Sequence, residues 1–168
     1  MNTKIINIGE KNKTITQLMS LKEKDHGNVD IKISNLHLIK LNTLAKQTLF
    51  TKNDAYISAH TLYCAMNNED NSNNKGTHNY HDLTIDDIYE GLKSISNPSM
   101  IFSSDQNRYL IVSLFISSFG VPLLVVIEVH ADLVKDKTAN INKIVTIYPK
   151  GDVNDLLKGT KEKLLYRN

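Results

Sequence analysis

The fold turns on residues 97–148, which read Pro98-Ser-Met-Ile-Phe-Ser-Ser104, Tyr109-Leu-Ile-Val-Ser-Leu-Phe-Ile-Ser117, Pro122-Leu-Leu-Val-Val-Ile-Glu-Val-His130 and Asn142-Lys-Ile-Val-Thr-Ile-Tyr148. Three of the four runs are rich in β-branched residues, and all four are bounded by turn formers, so each reads as a strand. Phe119-Gly-Val-Pro122 interrupts the longest apolar stretch and folds it into a hairpin with its turn over 118–121. The segment from Tyr109 to Ile127 carries no charge and approaches the roughly 20 apolar residues that a membrane-spanning helix needs. Ser113, Ser117, Ser118, Gly120 and Pro122 dilute it, and its flanks are β-branched, so two strands are preferred to a span. Near-continuous apolarity then means that these strands are central in a sheet or covered on both faces.

Upstream the texture changes. Residues 31–50 place Leu38, Leu41, Ala45 and Leu49 at helical spacing after a possible cap at Ser34. A second helix is expected over 52–67, capped by Asn53 or Asp54, with Tyr56, Ala59, His60, Tyr63 and Met66 on one face. The polar run over 67–77 has too little apolar content to pack and reads as a mobile loop. Thr84-Ile-Asp-Asp87 is a capping box, and the helix that it opens closes before Asn97-Pro98. A short strand over 4–8 followed by polar linker accounts for the first 30 residues, read as an N-terminal extension. The expected fold class is therefore α+β, a single domain over 1–168 with N-terminal helices packed on a roughly four-stranded antiparallel sheet.

Composition narrows the chemistry. A chain of 168 residues is long enough to bury about 70% of the surface its unfolded form exposes. Twenty Lys and Arg against 18 Asp and Glu leave no strong global pull on a polyanion, so any such site must be local. Cys64 is the only cysteine, which excludes an intramolecular disulfide framework and a cysteine-based zinc cluster. No metal-binding histidine spacing, phosphate loop or dinucleotide glycine string is present, so no metal or cofactor is expected. The N-terminus lacks the apolar run of a signal peptide, and a cytoplasmic protein is expected.

The candidate chemistry lies at strand ends and in the histidines. Thr146 and Tyr148 alternate with Val145 and Ile147 and share one sheet face beside Lys150. His60 lies one helical turn from Cys64, a nucleophile-and-base spacing that packing explains more simply. His130 and Arg108 read as strand-end and hairpin-loop residues, and His78 belongs to the polar loop. His81 precedes the capped helix, where an unperturbed imidazole titrates near neutral pH.

The order His81-Asp-Leu-Thr84, a short helix, Ser96-Asn-Pro98, Ile101-Phe-Ser-Ser104, an apolar hairpin, Ile144-Val-Thr-Ile-Tyr148 and Lys163-Leu-Leu-Tyr166 resembles the C-terminal toxin domains attached to phage MuF-type head proteins. Those domains belong to the barnase, EndoU, colicin and RelE-like nuclease superfamily. The similarity spans residues 54–168 and implies a metal-independent ribonuclease toxin of phage or mobile-element origin. In such an endoribonuclease the neighbouring 2′-hydroxyl attacks phosphorus, and the protein supplies a base, an acid and donors for the phosphate. The resemblance makes His81 the catalytic base or acid and His60 its partner, with Ser103, Ser104, Thr146, Tyr148, Lys150 and Arg167 as phosphate contacts. The implied partners are RNA, whether tRNA or another cellular RNA, and a cognate immunity protein or antitoxin, with action in the cytoplasm of the producing or a target cell. The alternative is a non-enzymatic phage or mobile-element protein that uses the same sheet to bind and inhibit a host protein, a reading that the near-neutral charge favours.

Overall fold

A computed structural model describes residues 4–68, 80–133, 135–159 and 161–168. The polar loop expected over 67–77 falls outside the described residues from residue 69 onward, and His78 with it.

The C-terminal strands form as their sequence dictates. Here β4 (Pro98–Ser104), β5 (Arg108–Ile116), β6 (Pro122–Ala131) and β7 (Ile141–Pro149) pair antiparallel in succession. The β5–β6 turn closes on Ser117 N–H donating to Val121 O at 2.9 Å, with Gly120 at φ +75°. An L side chain is strained at that angle, so the turn favours glycine. Strand β8 (Lys163–Arg167) pairs antiparallel with the outer edge of β4.

The expectation of N-terminal helices on a four-stranded antiparallel sheet is overturned. The described residues form one eight-stranded mixed sheet in the order β1-β2-β3-β7-β6-β5-β4-β8, with five helices. Strand β1 (Lys4–Asn7) is the short strand expected over 4–8, and two further strands come from the region expected to be mainly helical or extension: β2 (Asp30–Ser34) and β3 (Ala55–Ser58). Strand β1 runs parallel to β2, and β3 runs parallel to β7. The physical reason is length. Ile31 and Ile33 alternate over only five residues, too short to outweigh the helical spacing that follows, and they take strand form through pairing with β1 and β3. Ser34 ends β2 instead of capping a helix, and Ser58, not Asn53 or Asp54, caps the helix after β3.

The helices are correspondingly shorter or displaced. Residues 11–23, read as linker, form α1 (Lys11–Glu23), which buries Thr14, Leu18 and Leu21 along one stripe. The expected helix over 31–50 shrinks to α2 (Lys40–Ala45), and that over 52–67 shrinks to α3 (Ala59–Met66) behind β3. The helix α4 (Ile85–Ser94) carries the capping box: Thr84 Oγ1 accepts from Asp87 N–H at 3.0 Å, and Asp87 Oδ2 accepts from Thr84 N–H at 2.9 Å. The last helix, α5 (Asn154–Lys158), links β7 to β8.

The sheet is covered unequally. On its first face, Leu18, Leu21, Leu62, Met66, Ile88 and Leu92 of α1, α3 and α4 pack against Ile6, Ile33, Ile57, Ile111, Val125 and Ile147. On the second face only a small cluster forms, Phe102, Leu110, Val112 and Leu124 under Leu156 of α5. Burying each of these large side chains contributes roughly 1.5–3 kcal/mol, which makes the first face the main source of stability. Among the described residues, the second face is covered least beside β7, where the site is placed.

Candidate functional site

The site begins at a gap in the sheet. Strand β3 pairs with β7 only at Tyr56 opposite Lys143 and Ile57 opposite Ile144, and then the chain turns into α3. Among the described residues, the later half of β7 therefore has no strand on that side. Residues 81–83 run along the end of α3 instead: His81 N–H donates to Cys64 O at 3.1 Å, Asp82 N–H to Asn67 O at 3.1 Å and Leu83 N–H to Ala65 O at 2.9 Å. This strap sets the His81 ring against Tyr148 of β7, stacked with centroids 5.5 Å apart and planes at 29°.

A second restraint comes from Asp87. It is only 2% exposed, and besides the capping box it accepts from Ser118 N–H at 2.8 Å and from Ser118 Oγ–H at 2.6 Å. Burial alone would raise its pKa, but the Ser118 and Thr84 hydrogen bonds outweigh it and hold the carboxyl below the usual range. One carboxylate thus ties the start of α4, two residues beyond the strap, to the β5–β6 turn.

His81 is half-buried, and its Nε2 has no hydrogen-bond partner among the described residues. Burial pushes its pKa below the ordinary imidazole value, so the ring is neutral at pH 7. Burial, with Glu162 nearby, raises the pKa of Tyr148, which keeps its hydroxyl proton. Buried polar atoms without partners are uncommon and ask for an explanation.

Register locates the remaining candidates. Thr146 faces Val126, and Tyr148 faces Leu124, a member of the second-face cluster, so both side chains stand on the open face. Lys150 extends the same alternation, its N–H donates to Pro122 O at 2.8 Å, and its Nζ lies 3.9 Å from Asp155 Oδ2 of α5. Ser104 lies on this face in the row Ser104, Arg108, Glu128 and Lys143, three strand spacings or about 14 Å from β7. Arg167 lies opposite Met100, in the row that ends at Tyr148, about 19 Å away across four spacings. Ser103 pairs with Tyr109 and belongs to the helix-covered face. Arg108 Nε donates to Glu128 Oε2 at 2.9 Å, and His130 Nδ1 lies 2.9 Å from Asn140 Oδ1, at the end of β7 remote from Tyr148.

His60 has different company. Its Nδ1 lies 2.8 Å from Asp25 Oδ2, and its Nε2 lies 3.4 Å from Cys64 Sγ. The structure thus brings His81, Tyr148, Thr146 and Lys150 to one end of β7. It sets Ser104 and Arg167 farther along the same face, Ser103 on the other face, and His60 against Asp25. Sequence reasoning missed Asp25, which lies 35 positions from His60 and has no pattern joining it to that residue. It also missed Asp87 as the tie to Ser118, of which the capping box was only the local half.

Among the described residues no helix is long and apolar enough to cross a membrane. No curated protein and no solved structure matches the chain. The phage MuF-C-terminal domain family matches residues 72–168, the strap, α4 and every element from β4 to β8. That match covers more than half of the sequence, and the chain belongs to the phage MuF-C-terminal domain family.

Proposed function

We propose that this phage-related domain is a metal-independent endoribonuclease toxin whose centre is His81 at the end of β7. The observation that carries the reading is the neutral, half-buried His81 ring stacked on Tyr148, on a sheet face shared with Thr146 and Lys150. A neutral imidazole accepts the proton of a ribose 2′-hydroxyl at pH 7. The oxygen attacks phosphorus, the bond to the 5′-oxygen breaks, and that oxygen takes a proton from water while the His81 imidazolium releases its own to solvent, leaving a 2′,3′-cyclic phosphate. The un-ionised Tyr148 hydroxyl and the Thr146 hydroxyl are donors for phosphate oxygens, and the Lys150 ammonium supplies charge. Ser104 and Arg167 reach phosphates farther along the RNA strand. His60 stands outside this centre because Asp25 and Cys64 hold its ring. Such an enzyme acts on cytoplasmic RNA, tRNA among the candidates, and calls for a cognate immunity protein or antitoxin.

The test is expression and cleavage together. Wild-type chain is expected to arrest its host and to degrade total RNA in EDTA to cyclic-phosphate ends, while His81→Ala does neither. Harmless expression with intact RNA would sink the reading. One observation favours the second reading, a host-protein inhibitor: Leu114, Ile116 and Phe119 stand 44%, 55% and 51% exposed at the β5–β6 hairpin end. If RNA stays intact and Phe119→Ser abolishes a stoichiometric complex with a purified host protein, that reading replaces the first.

A further inference from the structure

The arrangement around Cys64 lies outside the family-matched residues and has a chemistry of its own. Asp25 sits in the turn after α1, where its Oδ1 accepts from Gly27 N–H at 2.7 Å. The turn is strapped to α3 by two backbone bonds, His60 N–H to Gly27 O at 2.9 Å and Ala59 N–H to Val29 O at 2.8 Å. These restraints aim Asp25 Oδ2 at His60 Nδ1. Burial would raise the Asp25 pKa, but the Gly27 hydrogen bond, the His60 hydrogen bond and charge, and the His26 charge together lower it, so the carboxyl is ionised.

An ionised carboxylate accepts only, so His60 Nδ1 carries a proton toward Asp25, and in the neutral tautomer that this selects the lone pair lies on Nε2. That lone pair faces Cys64 Sγ at 3.4 Å, an S–H···N hydrogen-bond distance. Asp25 and Cys64 sit on opposite ring nitrogens. This is the geometry of a proton relay, not of three ligands converging on one ion. The i, i+4 spacing on α3 explains why the thiol and imidazole meet. It does not explain the third member, which comes from another element and is held by its own turn. The Cys64 residue is 7% exposed, while the His60 and Asp25 side chains are 22% and 40% exposed, so solvent meets the imidazole and the carboxylate more than the thiol.

We infer that Asp25, His60 and Cys64 form an activated thiol and that Cys64 is a site of covalent modification by small soft electrophiles, hydroperoxides among them. Small soft electrophiles such as hydroperoxides need no oxyanion stabilisation, so a thiol set against an imidazole is sufficient for them. With hydrogen peroxide the thiol proton passes to His60 Nε2 and the thiolate attacks one peroxide oxygen. The O–O bond breaks, and the departing hydroxide takes the proton back from the imidazolium. Sulfur is oxidised to the sulfenic acid, and peroxide is reduced to water.

The experiment follows intact mass of the full chain at pH 7 with hydrogen peroxide, and separately with iodoacetamide, in native buffer and in 8 M urea. The native chain is expected to react at least tenfold faster than the unfolded chain. His60→Gln and Asp25→Asn are expected to slow it to the urea rate, and Cys64→Ser to abolish it. Circular dichroism checks the folding of each variant. If one variant unfolds, the other decides, and if both unfold, the native-to-urea ratio decides. A native rate at or below the urea rate, or wild-type rates in folded variants, overturns the inference.

Discussion

Two imidazoles flank one turn of α3 and meet opposite surroundings. His60 has an ionised carboxylate on one nitrogen and a thiol on the other, at the mouth of a turn that opens to water. His81, whose N–H donates to the carbonyl of Cys64, stacks on an aromatic ring with Nε2 buried and unpartnered. The first ring is directed by a partner and serves a fixed neighbour. The second is kept neutral by burial, and its Nε2 is shut off from solvent. Residue type alone says little about a histidine; the partner of each nitrogen says most of it.

The largest effect that would sharpen this contrast is on cleavage. His81→Ala is expected to lower the initial rate of RNA cleavage in EDTA by about 10²- to 10⁴-fold, while His60→Gln changes it less than about threefold; equal losses would reunite the two rings as one acid-base pair, as the sequence suggests. Face identity is tested next: Thr146→Ala is expected to cost about tenfold in the same assay, as losing a hydrogen bond to a charged group does, and Ser103→Ala to leave the rate unchanged.

The scaffold beneath His81 is tested by unfolding. Asp87→Asn removes an ionised acceptor shared by Thr84 and Ser118, and urea titration is expected to show a loss of roughly 1–3 kcal/mol. Proton linkage gives the smallest signal. The His81 pKa is lower folded than unfolded, so as pH falls below about 6.5 the unfolded chain takes up that proton first and stability declines. His81→Asn should flatten this part of the stability curve. Asp87 acts later on the same curve, since its depressed pKa adds stability above about pH 4 that is lost as pH falls through the folded value. An unchanged slope near pH 6 in His81→Asn would mean that the ring is not dry.

The C-terminal strands were legible because hairpins are local: Ser118, Gly120 and Pro122 mark a turn within a few residues of the strands they join. Strands β2 and β3 were not, because four- or five-residue strands acquire their identity from neighbours far away in sequence. Helix α1 escaped notice because its buried stripe is Thr14, Leu18 and Leu21, a weak apolar signal among lysines and polar residues. In the site, the alternation of Thr146 with Tyr148 was readable from the strand period. The stacking of His81 on Tyr148 was not, because it depends on β3 ending early and leaving an edge for the strap.

By itself the sequence determined the hairpins of β5 and β6, the Thr84–Asp87 box and the pairing of His60 with Cys64 on one helix face. All three follow from chemistry within about 20 residues. Tertiary structure alone decided that eight strands make one sheet, that Asp25 completes the His60–Cys64 pair, and that Ser118 and Thr84 share one buried carboxylate. The reason is that a short strand or a lone carboxylate has no local preference strong enough to fix its state. Its free energy is set by what burial brings against it.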